Sequence, residues 1–288
     1  MTAALHALAL AALAAAPSQA QSAESAFAKL KPELERAQAQ WEKSPEARAA
    51  PVDWTITRGL VVQRRFAGGN RFDGKRAVDV DLEHEERVRF GIRDRFSISA
   101  WILPRALTGA IVARGKDAVH AEGYGLYLED GKMQVSLVHR WSDDALRVET
   151  ERAVEPNHWQ NVTMTYDGSG AAAGLRIYFD GHAQKLKITL DNLRESFEST
   201  EPLWIGAGSG PESRFRGQIR FVRIYKRVLA PDEVGVVATQ TPVNTIALTP
   251  PEKRTRGESE KIRLYFLERA APTEIQEAWQ RALEMRDK

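Results

Sequence analysis

Alternation of apolar and polar side chains runs through the middle of this chain and is clearest in residues 161–166 and 175–180. In the first segment, Val162, Met164 and Tyr166 occupy every second position. Because successive side chains on a β-strand point to opposite faces, each segment would present one apolar and one polar face. An Asp-Gly pair ends each segment, and glycine accepts the positive φ angles of tight turns. The two segments are therefore predicted to be strands of a β-sandwich core.

The same alternation extends from about residue 54 to residue 238, with turn residues between the segments. An Asp-Gly pair at 130–131 joins two of these segments and is typical of a β-hairpin. Many short strands without intervening helices indicate an antiparallel sandwich or a closed barrel. The predicted strands are residues 56–65, 77–82, 96–103, 110–114, 123–129, 132–139, 145–149, 159–167, 175–180, 186–190, 203–207 and 217–226. A short helix is predicted to begin at Pro231.

Both ends of the described pattern change to helical spacing. Apolar side chains from Phe27 to Trp41 are spaced three and four residues apart and share one stripe of a helix over 22–43. Pro32 either kinks this helix or marks its true start. A second stripe runs from Ile275 to Leu283, and we predict that the two helices pack antiparallel beside the sandwich. The alternative is that both stripes meet neighbouring domains.

The predicted domain organisation follows from these changes of pattern. It comprises an N-terminal helix and linker at 22–50, a β domain at 54–238, a polar and proline-rich linker at 239–256, and C-terminal helices at 257–288. Residues 1–20 are predicted to be a signal peptide, because an apolar run at 5–16 precedes the small-x-small sequence at 18–20. The run is too short to span a bilayer, so no transmembrane segment is predicted. The expected location is secreted or periplasmic; a helix of a domain truncated upstream is the alternative.

Composition narrows the classes of function. The 41 basic and 39 acidic side chains give a net charge of only +2, whereas a nucleic-acid-binding surface needs clustered Lys and Arg. We therefore expect no nucleic-acid partner. The chain has no cysteine, which excludes disulfides, thiolate metal sites and covalently attached c-type haem within it.

Six short motifs in the β region resemble, in order and spacing, those of LamG-like domains of the concanavalin A-like jelly-roll type. They are FSISAWI (96–102), GYGL (123–126), HWQNV (158–162), TYDG (165–168), IYFDG (177–181) and FRGQI (215–219). This resemblance implies a mainly β fold in which two curved antiparallel sheets form a jelly-roll β-sandwich, here with flanking N- and C-terminal α-helices.

A narrower set of motifs is similar to one family of large exported bacterial proteins. These are HRWSDDA (139–145), YDGS (166–169), AAGL (172–175), DNL (191–193), and flanks at 34–42 and 254–267. In that family a cytochrome c-like domain precedes two uncharacterised domains, with a LamG-like domain often inserted between these. The resemblance implies neighbouring domains that are encoded separately, or a stand-alone relative. The haem-binding Cys-x-x-Cys-His is absent, so no haem is expected.

Catalysis is the first function to weigh, because concanavalin A-like folds include glycoside hydrolases. These enzymes need two carboxylates facing each other across a cleft, which on one strand often reads Glu-x-Asp-x-x-Glu or a close variant. No such string occurs, and Glu83, Glu85 and Glu86 fall in a charged loop. We therefore expect a non-catalytic binding or interdomain scaffolding module with a glycan or protein partner. The alternative is a carbohydrate-active enzyme or an accessory domain of one.

The loop from His139 to Asp144 is the predicted place of ligand contact. An exposed Trp141, beside Arg140 and the acidic pair Asp143 and Asp144, would stack on a sugar ring or a partner's side chain. The alternative is that Trp141 folds back onto the sheet. On the preceding strand, Tyr124 and Tyr127 point to opposite faces, so only one of them can line the same surface. Tyr124 is included among the candidate ligand-binding residues.

Calcium is the one cofactor for which candidates exist. Some LamG-like domains hold Ca²⁺ at the rim of the sandwich through carboxylates and backbone carbonyls. Most loop aspartates here precede glycine, which turn chemistry alone explains. Asp143 and Asp144 have no such explanation and are the candidate ligands. The histidines show no zinc-like spacing.

Overall fold

The computed structural model of the chain describes residues 19–75, 78–79 and 86–287. Of the predicted features, residues 1–18 of the signal peptide, the charged-loop residues Glu83 and Glu85, and part of the predicted strand 77–82 lie outside these ranges. The described chain forms two compact units. One consists of residues 45–264, and the other combines the segment up to residue 44 with the segment from residue 265 onward.

Residues 45–264 are built mainly from β-strands. Each of the twelve predicted strand segments contains at least part of an observed strand. The described strands are β1 Leu60–Asp73, β2 Val78–Asp79, β3 Phe96–Pro104, β4 Gly109–Gly115, β5 Gly123–Glu129, β6 Lys132–Arg140, β7 Asp144–Ala153, β8 Gln160–Tyr166, β9 Leu175–Phe179, β10 His182–Ala183, β11 Leu186–Asp191, β12 Leu203–Ile205 and β13 Arg216–Tyr225. The described helices are α1 Gln19–Lys29, α2 Lys31–Trp41, α3 Pro45–Arg48, α4 Pro231–Val237, α5 Val243–Leu248, α6 Arg256–Arg269 and α7 Thr273–Asp287.

Two antiparallel sheets enclose the core. In the described residues, one sheet has six strands in the order β1-β13-β3-β8-β9-β10, and the other has seven in the order β11-β7-β6-β5-β4-β12-β2. Alternate residues of both sheets, such as Ile98 and Val162 on one and Leu126 and Val135 on the other, are fully buried between them. The predicted two-sheet jelly-roll β-sandwich with helices at both ends is therefore confirmed.

An aromatic cluster ties the two sheets together at one end of the core. Phe96 of β3 stacks on Phe90 with ring centroids 4.4 Å apart, and Tyr124 and Tyr166 lie 5.2 and 5.7 Å from it. The hydroxyl of Tyr124 donates a hydrogen bond to the carbonyl of Val88 at 2.7 Å. Burying these rings supplies much apolar area, and the hydroxyl avoids the cost of an unpaired polar group.

The outer face of the six-stranded sheet is also covered. Five polar side chains of β3 and β8 are at most 2% exposed although they point away from the core; they are Ser97, Ser99, Asn161, Thr163 and Thr165. Ser97 donates to the carbonyl of Arg227 and accepts from the amide of Leu229, so the chain leaving β13 turns back over this face. Burial, together with the nearby Arg223 of β13, lowers the pKa of Lys261 in α6 to about 8. The segment from residue 227 to residue 261 therefore contributes residues that pack on this sheet.

Part of this covering segment was predicted as a linker. The region 239–256 contains α5, whose Val243 and Ile246 are completely buried. The prolines at 250 and 251 follow this helix rather than interrupt it. The linker prediction missed α5, because a six-residue helix held by two buried side chains shows no long apolar stripe.

A buried ion pair holds α4 in place. Arg227 donates two hydrogen bonds to Glu233, at 2.7 and 2.8 Å, and Arg58 donates a third at 3.0 Å. The same carboxylate accepts from the amide of Ala230, at the start of the helix. Both Arg227 and Glu233 are less than 9% exposed. Each buried charge is thereby paired, which is the condition under which such groups are tolerated inside a protein.

The terminal segments form a helical unit of their own. The predicted N-terminal helix is broken at Leu30 into α1 and α2. Pro32 stands in the first turn of α2, so it marks the start of a helix rather than a kink within one. Helix α1 packs on α7. Trp41 lies against Tyr265 and Phe266 of α6, with centroids 5.6 and 5.4 Å apart. The two ends of the chain do meet, but Trp41 contacts α6 rather than α7. None of the described helices combines the length and the apolar composition needed to cross a membrane.

Replacing Glu233 with alanine tests the ion pair. The substitution leaves Arg227 buried without its partner, so we expect the free energy of unfolding to fall by about 3–5 kcal/mol. Urea denaturation followed by circular dichroism measures this. The matched control is Glu155→Ala, which removes an exposed partner of Arg152 and should change stability by less than about 0.5 kcal/mol. Equal effects of the two substitutions would contradict the assigned role.

Candidate functional site

A groove of about 310 Å³ opens on the outer face of the seven-stranded sheet. Its floor comes from β5 and β6, and its walls come from the loop before β5 and the loop after β12. The lining residues are Gly109, Ala110, Ala118, Val119, His120, Ala121, Tyr127, Leu128, Glu129, Gln134, Ser136, Val138, Trp141, Gly208, Ser209 and Ser213. The groove thus combines aromatic rings with amide, hydroxyl and carboxyl groups.

Tyr127 forms an aromatic part of the floor. The hydroxyl end of its ring lies directly over Gly125, where a Cβ atom would overlap the ring and the hydroxyl. Beside it, the side-chain amide of Gln134 donates to the hydroxyl of Ser136 at 3.0 Å. The pairing of β5 with β6 sets Tyr127 opposite Gln134 and Gly125 opposite Ser136. Burial raises the pKa of Tyr127, so its phenol remains a neutral hydrogen-bond donor at physiological pH.

One aspartate connects the two wall loops. Asp117 accepts hydrogen bonds from the amides of Gly208 and Gly210, at 3.1 and 3.0 Å, and from the guanidinium of Arg214 at 2.7 Å. Burial by itself raises the pKa of this carboxyl, but the hydrogen bonds from Arg214 and from the two amides outweigh burial and lower it. A charged carboxylate therefore fixes the shape of the groove.

Trp141, in the turn between β6 and β7, lies between two other side chains. The imidazole of His120 stacks on the indole with centroids 4.0 Å apart and planes 15° apart. The guanidinium carbon of Arg147 lies 4.1 Å from the same ring centroid. Two groups this close to one centroid would overlap on a single face, so they occupy opposite faces. The predicted exposed platform is therefore covered in this structure, and Trp141 folds back onto β7.

The remaining residues of the predicted ligand loop stabilise the turn. Arg140 forms a two-pronged ion pair with Asp143, at 2.5 and 2.9 Å, and this pair lowers the pKa of Asp143 to about 2. Asp144 is buried and accepts from the amide of Arg194 at 2.7 Å, which lowers its pKa. The imidazole of His139 lies 3.2 Å from the carbonyl of Ser196. Of the six predicted ligand-binding residues, Trp141 alone is among those that line the described groove.

Tyr124, a predicted ligand-binding residue, lies in the core and not in the groove. It is 1% exposed and belongs to the aromatic cluster between the sheets, so its ring has no access to a ligand. Tyr127, on the opposite face of the same strand, lines the groove instead. Gln134, Ser136 and His120 were not predicted. The alternation of polar residues on β6 carried a signal for the first two, but the contact of His120 with Trp141 depends on tertiary structure.

The calcium hypothesis for Asp143 and Asp144 finds no ligand cluster in the described residues. Their carboxylates are engaged by Arg140 and by the amide of Arg194, respectively. Within the described ranges, no group of three or more His, Cys, Asp or Glu side chains is arranged to hold a metal ion.

The sequence of the chain matches a profile of one protein family. A profile described as the concanavalin A-like lectin/glucanases superfamily matches residues 64–235. The chain belongs to this family. The match runs from β1 to α4, and the predicted resemblance to LamG-like domains is thereby confirmed, while the cytochrome c-linked context stays a prediction. Since the family includes both lectins and glucanases, membership fixes the fold and leaves the activity to the site.

Solved structures with the same fold share little sequence with the chain. The CBM40 of an IT-sialidase from Ruminococcus gnavus is 15% identical, with 63% of this chain and 100% of that chain covered and a TM-score of 0.50. A protein from Bacteroides ovatus that is provisionally described as carbohydrate-binding is 18% identical. The match covers 58% of this chain and 45% of that chain, with a TM-score of 0.42. The binding domain of botulinum neurotoxin serotype G is 16% identical, with 62% and 50% covered and a TM-score of 0.45. These likenesses concern the fold.

Replacing Asp117 with asparagine tests the loop connection. Because the folded pKa of Asp117 lies below its ordinary value of 3.8, its contribution to stability is fully present above that value and is lost as the pH falls through the folded pKa. We expect Asp117→Asn to lower the free energy of unfolding by about 1–2 kcal/mol at pH 7. The difference from wild type should shrink below about pH 4.

Urea denaturation between pH 3 and pH 7 measures this difference. Asp53→Asn, at an exposed position outside the groove, is the control and should change stability by less than about 0.5 kcal/mol at any of these pH values. A difference between wild type and Asp117→Asn that grows on acidification would contradict the assignment.

Proposed function

We propose that this chain is a non-catalytic glycan-binding module that holds its ligand in the groove on the outer face of the seven-stranded sheet. The observation that carries the proposal is the flat ring of Tyr127, with Gln134 and Ser136 beside it. A pyranose offers an apolar C–H face, which packs on an aromatic ring, and hydroxyl groups, which exchange hydrogen bonds with amides and hydroxyls. Both complementary surfaces occur together in this groove.

The acidic groups of the groove favour binding over hydrolysis. Among the described residues that line it, Glu129 is the one carboxylate. Burial, and then the charge of Asp130, raise its pKa. A glycoside hydrolase needs a second carboxylate facing the first, within about 5–10 Å across the substrate. A binding module needs none.

The comparisons support the same choice. The Ruminococcus gnavus CBM40 has this fold over its whole length, and its name assigns it to a sialidase as a module rather than as the catalytic part. For the chain described here, we propose the same division of labour: the sandwich binds a glycan, and any catalysis belongs to another domain or protein. An exported location, secreted or periplasmic, fits this proposal because extracellular polysaccharides would be the accessible ligands.

A glycan array of neutral, uronic-acid and sialylated oligosaccharides, followed by calorimetry on the strongest ligand, tests the proposal. We expect Tyr127→Ala to weaken binding tenfold or more, about 1.4 kcal/mol, because the stacking surface is lost. Tyr127→Phe should retain most of the affinity, since the ring remains. Trp159→Ala, next to β8 of the other sheet, is the matched aromatic control and should bind as wild type does.

Two outcomes would redirect the proposal. If the folded wild-type protein binds no glycan on the array, the interdomain scaffolding function becomes the better account. If binding is lost in EDTA and restored by Ca²⁺, the calcium hypothesis for Asp143 and Asp144 returns. We expect binding to be unchanged in EDTA.

A further inference from the structure

We infer that the face of Trp141 now covered by His120 is a second sugar-stacking subsite of the groove, and that a sugar ring displaces the imidazole when it binds. This inference rests on the proposed glycan-binding function and extends it by assigning a residue exchange within the groove. Both His120 and Trp141 line the groove, so the exchange would occur inside the proposed site.

The two groups that cover the indole are held very differently. Arg147 is half-buried on β7, a strand paired on both sides by β6 and β11. Its guanidinium therefore supports the indole from behind. His120 is exposed, and in the described part of the chain its imidazole has no hydrogen-bond or ion-pair partner besides its stack on Trp141. Of the two groups, His120 is the one that a ligand can replace.

The backbone around His120 is suited to such an exchange. His120 lies in the loop between β4 and β5, where its φ angle is +62°. The strands that carry this loop end at Gly115 and Gly123, which face each other across the sheet and also have positive φ angles. Asp117 anchors the start of the loop by its hydrogen bonds, and Glu122, 3.4 Å from the imidazole of His139, anchors its end. His120 lies between these two anchors, so the exchange needs only a rotation of its exposed side chain.

The cost of the exchange is small compared with what a ligand gains. An aromatic pair of this kind stabilises its stacked form by at most about a tenfold factor, ~1.4 kcal/mol. A pyranose that takes the place of the imidazole packs its C–H face on the same indole surface. Removal of His120 should consequently strengthen binding, whereas removal of Trp141 should weaken it.

The charge behind the indole selects the ligand class. Because the guanidinium of Arg147 lies against one face of the ring, a second cation on the opposite face would be repelled. The subsite is therefore suited to a neutral or acidic hexopyranose and not to a protonated amino sugar. Tyr127 and Trp141 line the same groove, which fits a ligand of at least two sugar units.

The test compares four variants on the same array of neutral, uronic-acid, sialylated and amino-sugar oligosaccharides. We expect His120→Ala to raise the affinity for neutral or acidic ligands about three- to tenfold. We expect Trp141→Ala to lower it at least tenfold, and Trp141→Phe, which keeps a stacking ring, to lower it less. Lys116→Ala, an exposed position on the same loop, is the control and should bind as wild type does.

A measurement without ligand tests the covering contact separately. The part of the tryptophan fluorescence that disappears in Trp141→Ala reports on this indole alone. Its quenching by acrylamide should increase in His120→Ala and stay unchanged in Lys116→Ala. Unchanged quenching in His120→Ala would overturn the idea that His120 covers the ring.

The outcomes separate the subsite from the proposed function. Binding that depends on Tyr127 but not on Trp141 overturns the subsite and leaves the proposed function standing. Binding that His120→Ala weakens as much as Trp141→Ala does makes His120 a ligand contact and overturns the exchange. Absence of binding by wild type and His120→Ala alike overturns the proposed function and the subsite together.

Discussion

A two-sheet sandwich buries one face of each sheet in a common core and leaves two outer faces. The arrangement of this domain depends on which outer face is covered by other segments and which is open. Residues of the segment from 227 to 261 cover part of the outer face of the six-stranded sheet, where polar side chains such as Ser99 and Asn161 are buried and hydrogen-bonded. The ion pair of Arg227 with Glu233 holds the start of this cover. The outer face of the seven-stranded sheet carries the groove. The proposed site therefore lies on the sheet opposite to this cover.

The groove depends on close backbone approach as much as on its functional side chains. Gly125 leaves the space that the ring of Tyr127 occupies, and Asp117 holds the loop after β12 through two backbone amides. A fixed aromatic ring binds with little loss of conformational entropy, which is the advantage of preorganisation. His120 is held more loosely than either. The site thus combines a floor held by close packing with His120, an exposed wall residue that is stacked on Trp141.

The strands could be predicted from the sequence because alternation directly reflects burial on one face, and all twelve predicted segments contain part of an observed strand. The choice between Tyr124 and Tyr127 could also have been made, because Tyr124 shares its parity with the buried Leu126 and Leu128. The partners of Trp141 could not: His120 lies 21 residues earlier and Arg147 lies on the next strand, so their contacts exist only after the sheets and loops have assembled. Helix α5 was missed because six residues are too few to show a periodic stripe.

The proposed function places the ligand of this sandwich on the outer face of the seven-stranded sheet. Amide chemical-shift changes on addition of the strongest oligosaccharide from the array locate the bound ligand. We expect the largest changes on Gly125, Tyr127, Gln134 and Ser136 and on the loop 118–122. Changes concentrated instead around Trp101 and His182, on the six-stranded sheet, would contradict it.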